Sequence, residues 1–151
     1  MTLRTGNTLA AAYLAVFGSL TFASLDAVGN ERHERGIEVM DNLSGGAGQP
    51  VLEALREDYP FLAEGITPYA LGDVWGRSEL DDRTRQLAVI AAFAAQGNLQ
   101  YMKVHAGYAL RLGVTREELK EVVYLTTVTA GFPRAIDAAQ ALREVSDPVA
   151  R

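Results

Sequence analysis

A chain of 151 residues that is 48% hydrophobic can bury one sizeable core, and it is read most simply as a single domain. Its net charge of −5 implies no basic surface for phosphates or anionic lipid, which argues against nucleic acid as a partner. The lack of any cysteine excludes disulfides, thiolate-held zinc or iron–sulfur clusters and a cysteine nucleophile, so redox chemistry would need a borrowed cofactor.

Residues 1–28 stand apart as an apolar leader. The run 9–20 (LAAAYLAVFGSL) is apolar around the whole helical circumference, unlike an amphipathic surface helix. Arg4 precedes it, and Thr21 and Ala23 put small residues just before a possible cut at Ser24, which fits a secretory signal peptide. The other reading is an N-terminal helix, capped by Asn7 or Thr8, that packs into an oligomer. Gly18, Ser19 and Thr21 interrupt a run already short for a membrane span. A cleaved leader would place the protein in the periplasm or outside the cell, an uncleaved one in the cytoplasm.

Residues 31–148 read as one helical domain with almost no strand signal. The stretch 32–40 is short and charged, with Ile37, Val39 and Met40 supplying a partial apolar face. Three glycines in 44–48 mark a loop. Pro50 suits the first turn of a helix over 51–58 that Pro60 closes, and 61–70 continues as helix with Pro68 as a start or kink. Asp81 or Asp82 caps a central helix whose Leu87, Ile90, Ala91 and Ala94 recur at helical spacing. Gly97 and Asn98 turn the chain into a helix over 99–112, ended by Gly113. Thr115 and Glu118 form a capping box for the next, with Leu119, Val122, Val123 and Leu125 inward. Gly131 ends that helix and Pro133 begins the last, through Leu142. The short connections favour a compact, antiparallel, all-α bundle.

His105 lies mid-helix between Tyr101 and Tyr108, at spacings that put all three on one face, so a phenol is placed to fix or relay the imidazole proton. An imidazole titrating near neutrality suits general acid or base work; the structural alternative is a core histidine bonded to a carbonyl. Asp73, Trp75 and Arg77, followed by Arg83 and Arg85, form a second group in which an arginine can grip a carboxylate through two parallel bonds. The structural alternative pairs Asp73 with Arg77 and leaves Arg83 and Arg85 beside Asp81 and Asp82 at a solvated helix start. Gln86, at the start of the central helix, approaches the His105 helix and can orient a water or carbonyl without acting as a base. Arg134 and Asp137 stand near a helix start that suits an anion or a surface pair. His33 faces solvent without an assigned role, and two distant histidines without an HxxxE spacing carry no metal signature.

The segments GDVWGR (72–77), LDDRTRQLAVIAA (80–92), KVHAGYALRLGVTREELKEV (103–122) and TAGFP (129–133) together resemble the carboxymuconolactone decarboxylase family, which includes the alkylhydroperoxidase D-like disulfide enzymes. The resemblance runs from about Arg32 to Val145. It implies a small all-helical bundle assembled as a homo-trimer or homo-hexamer, with sites near subunit contacts. In the peroxidase branch a CxxC pair stands seven and four residues before the histidine and a glutamate nineteen before it. Here those positions are Asn98, Tyr101 and Gln86, so thiol peroxidase chemistry has no route. The resemblance therefore points to the cysteine-less decarboxylase branch and a cofactor-independent lyase acting on a small carboxylated lactone of the 4-carboxymuconolactone type. In that reading Arg77 and Arg85 hold carboxylates, Trp75 excludes water, and His105 protonates the enolate left by carbon dioxide, oriented by Tyr101 or Tyr108. The competing readings are a noncatalytic oligomeric binding protein that keeps the pocket, and, last, a thiol-free peroxidase activity. Export would fit poorly with a cytoplasmic aromatic-degradation pathway.

Overall fold

The computed structural model describes residues 27–145, and every regular element among them is helical. Residues 27 and 28 begin a helix, and the rest of the leader, with its two readings, lies outside the described residues. The described chain divides into two compact units, one holding residues 27–39 and Pro50–Gly76, the other Met40–Gln49 and residues 77–145. No helix among the described residues is long and apolar enough to cross a membrane.

Helix α1 covers 27–44, longer than the charge pattern suggests. In the first unit it is followed by α2 (Pro50–Asp58), α3 (Pro60–Gly65) and a π-helical segment, Ile66–Trp75. The sequence suggests a kink at Pro68; the chain instead widens into π turns. Proline supplies no N–H and its ring crowds the carbonyl four residues back, so a wider turn accommodates it where a regular α turn would break. Two glycines let α1 and the π-helical segment meet backbone to backbone. A Cβ on Gly36 would lie 2.0 Å from the Thr67 carbonyl oxygen, and one on Gly72 would lie 2.2 Å from that of Arg32. Asp73 fastens the same contact through ion pairs with Arg32 and Arg35. The alternative pairing of Asp73 with Arg77 is not formed, because partners one turn apart lose to cations brought in from α1.

The second unit is an antiparallel bundle of α4 (Asp82–Gln96), α5 (Leu99–Arg111), α6 (Arg116–Ala130) and α7 (Phe132–Arg143). Helix α4 packs on the other three, and α7 also packs on α5 and α6. The Asp81 side chain accepts from the Thr84 N–H at 2.9 Å, and Thr115 with Glu118 forms the capping box. Ile90, Ala94, Met102, Ala106, Ala109, Leu119 and Ala138 have no exposed surface, and the alanines let the helix axes close up around the larger residues. Leu125 is not inward: it is 63% exposed, and Thr126 takes the buried position at 2%. The stripe on α6 runs 119, 122, 123, 126, the i, i+3, i+4, i+7 series, and Leu125 falls beside it. Thr126 is tolerated there because its hydroxyl donates to the Val122 carbonyl at 2.9 Å.

Candidate active site

Within the second unit, α4 and α5 bring the sequence-distant Gln86 and His105 together. Gln86 is fully buried, and its Oε1 lies 2.9 Å from His105 Nδ1. An amide oxygen only accepts, so in this orientation Nδ1 carries the proton and Nε2 the lone pair. The Gln86 Nε2 is buried without a hydrogen-bond partner among the described residues. Burial of the imidazole pushes His105 down from the usual 6.5 to about 4. This corrects the expectation of an imidazole titrating near neutrality: at neutral pH the ring is uncharged.

Aromatic rings enclose the imidazole. Tyr108 meets it edge-on, with centroids 5.9 Å apart at 85°. Phe93, two turns beyond Gln86 on α4, lies 5.4 Å from it, and Tyr101 stacks on Phe93 at 5.6 Å. The Tyr108 hydroxyl does not bond the imidazole: it accepts from Gln49 Nε2 at 2.9 Å and donates toward Met40 Sδ at 3.9 Å. Burial raises the Tyr108 phenol above its ordinary range, and the Gln49 hydrogen bond works against that rise. The glycine-rich loop after α1 is thus tied to the site through Gln49, and Asn42 in the last turn of α1 donates to Asp82 at 2.7 Å. Tyr101 is 53% exposed.

The arginines are placed differently. Arg85 Nη2 donates to the carbonyls of Arg77 at 2.7 Å and Leu80 at 3.1 Å, which fixes the loop before α4. Arg77 is exposed and paired with Glu79 at 3.5 Å. Arg83 leaves the α4 start and reaches both carboxylate oxygens of Glu118, at 3.0 and 2.9 Å. Arg134 packs its guanidinium where a Cβ on Gly97 would stand. Trp75 belongs to the first unit, where it ends the π-helical segment.

The histidine cluster thus joins Gln86, His105 and Tyr108, with Tyr101 reaching it through Phe93. Sequence reasoning missed Phe93, Gln49 and Met40. Phe93 carried a signal, since 86, 90 and 93 share one face of α4. The loop residue Gln49 carried none.

The carboxymuconolactone decarboxylase family profile matches residues 60–144. The chain is 31% identical to 4-carboxymuconolactone decarboxylase of Acinetobacter baylyi over 116 residues, 76% of this chain and 87% of that protein. It is 34% identical to nitrosuccinic acid decarboxylase of Metarhizium robertsii over 122 residues, 76% of this chain and 84% of that protein. With the cysteine-free sequence, the all-helical architecture and this degree of shared sequence, the chain belongs to the carboxymuconolactone decarboxylase family.

Proposed function

We propose that this protein is a carboxy-lyase acting on a small carboxylated lactone or an acid of equivalent reactivity, with His105 moving the proton. The observation that carries the reading is the part-buried Gln86–His105 pair at 2.9 Å, anchored on the fully buried Gln86. The two named relatives share a chemical logic. A carboxylated unsaturated lactone and a nitro acid both lose carbon dioxide to leave a carbanion delocalised within the substrate. The electron sink then travels with the substrate, and the protein's tasks are to bind, exclude water and deliver a proton.

In the reaction, the bond between the carboxylate carbon and the substrate breaks and its electron pair enters the lactone or nitro system. The new carbanion takes one proton on carbon. An anionic substrate beside the imidazole favours the imidazolium, offsetting the burial that keeps the ring neutral in its absence. His105 then gives the Nε2 proton to carbon and returns to the neutral Nδ1–H form held by Gln86. Gln86, fully buried, acts through the imidazole by fixing its tautomer and orientation. Arg77 takes a substrate carboxylate in exchange for its exposed, weak pair with Glu79, and Arg85 positions it by gripping its backbone carbonyl. Tyr101 and Tyr108 contribute ring surface.

The protein acts as a homo-oligomer in this proposal. Leu125, Val128, Phe132 and Ile136 are 63%, 83%, 70% and 54% exposed along α6 and α7, apolar surface that a second copy would cover.

The test is carbon dioxide release from 4-carboxymuconolactone and from nitrosuccinate by the purified protein and by His105→Ala. Turnover of either that collapses in the variant supports the lyase. No turnover of either by a folded parent sinks it, and turnover that survives in the variant removes His105 from the reaction.

A further inference from the structure

A cavity lies between the first half of α6 and the last turns of α7, and among the described residues it shares none with the His105 cluster. Its volume is about 250 Å³. That is on the order of eight water volumes, enough for a ring or a short chain and at the small end for a ligand site. Val123 and Leu142, both buried, form an apolar floor, and Ala139 and the Tyr124 ring flank it. Arg116, Lys120 and Arg143 form the rim, and no carboxylate lines it among the described residues. In a chain of net charge −5, three cations gathered around one apolar hollow stand out against the composition.

The commitments of these cations differ. Arg116 donates to the Val145 carbonyl, which holds its guanidinium at the cavity edge. Lys120 pairs with Glu117 at 3.2 Å, an exposed pair one turn apart that an incoming anion can replace. Arg143 makes no ion pair among the described residues, and the neighbouring Glu144 is held by Lys103 at 2.9 Å. A cation in the last turn of α7 complements the helix dipole, but that accounts for Arg143 alone. It does not account for two further cations from α6 around an apolar floor.

We propose that the α6–α7 cavity is a binding site for a small carboxylate with an apolar body. The acid group meets Arg143 and Lys120, the guanidinium fork suits its two oxygens, and the ring or chain covers Val123 and Leu142. This site stands independently of the reaction proposed at His105, although the ligand class overlaps with that of the substrate.

The probe is benzoate, with benzyl alcohol as its uncharged counterpart, titrated into methyl-labelled full-length protein and followed by NMR at Val123 and Leu142. Saturable benzoate shifts at both residues are expected, with affinity about tenfold lower for benzyl alcohol, as loss of charge-assisted hydrogen bonds implies. The double variant Lys120→Gln, Arg143→Gln should weaken benzoate by a similar factor with the remaining spectrum unchanged, and His105→Ala should leave the shifts in place. Equal response to the alcohol, no saturation, or insensitivity to the double variant overturns the proposal. So do signals at these methyls that follow protein concentration and not benzoate, since a second copy would then cover the surface.

Discussion

The cluster around His105 and the cluster around Asp73 each join helices far apart in sequence, one with neutral groups under cover and the other with charges in the open. Around His105 the joining groups are an amide, an imidazole, a phenol and a thioether, and the key hydrogen bond ends on the fully buried Gln86. Around Asp73 they are a carboxylate and two guanidiniums, with 31–46% of each side chain exposed. Charge is cheap to solvate at the surface and costly to enclose, so ion pairs serve there as fasteners of modest strength. Neutral groups can be enclosed, and once enclosed they have unusual titration behaviour. The Arg32 guanidinium bonded to Asp73 holds that carboxyl below its usual range, which leaves it charged at any physiological pH. Burial moves His105 the other way with respect to charge, keeping it neutral at physiological pH. Only the second arrangement is responsive, and the difference can be broken or sharpened by experiment.

The largest effect is expected for His105→Ala, which should lower kcat about 10²- to 10⁴-fold toward a decarboxylated substrate, the usual worth of a proton-transfer group. Stability against pH comes next. An unfolded histidine titrates near 6.5 while His105 titrates near 4, so on acidification the unfolded chain takes up the proton first. The fold should lose up to about 3 kcal/mol as pH falls from 6.5 to 4, and keep that stability in full above 6.5. Urea unfolding at intervals across this window measures it, and His105→Gln should flatten the slope. Gly72→Ala should cost about 1–3 kcal/mol, or more, by driving a methyl into the Arg32 carbonyl, read as a lowered Tm. Gln86→Glu should bring the His105 titration up toward or beyond 6.5, because a carboxylate would then face Nδ1. The chain has two histidines, so an NMR titration repeated with His33→Asn assigns the signal. The smallest effect is expected for Asp73→Asn, a slight loss of Tm that disappears in about 1 M salt, where surface charges are screened. A large, salt-independent loss would overturn the contrast between fastener and responsive site.

Much of the bundle was legible because its signals are local. The Thr115–Glu118 capping box, the Asp81 cap and the glycine stop at Gly97 each concern residues within one turn of one another, and the structure forms all three. The π-helical segment was less legible: Pro68 announces a disturbance without stating whether the helix breaks, kinks or widens. Leu125 was misassigned because an apolar residue one position off a stripe looks inward unless the helical angle is followed strictly. The partners of Asp73, Arg83 and Tyr108 lay beyond reach for another reason. Each is set by which helices become neighbours, and spacing along one helix cannot say that. Residues near in sequence were therefore overvalued as partners, as with Asp73 and Arg77, and the loop residue Gln49 went unnoticed.

The π-helical turns give the length of that segment a meaning that its composition does not. A π turn holds more residues than an α turn, so deleting one residue between Ile66 and Leu71 would let the backbone relax toward α geometry. Everything downstream in the segment would then rotate by about 100°, the angle of one α-helical step. Asp73 would leave Arg32 and Arg35, and Gly72 would no longer face α1. Insertions and deletions here act as a change of phase, and related chains that differ in length at this point should differ in how their first helix is fastened.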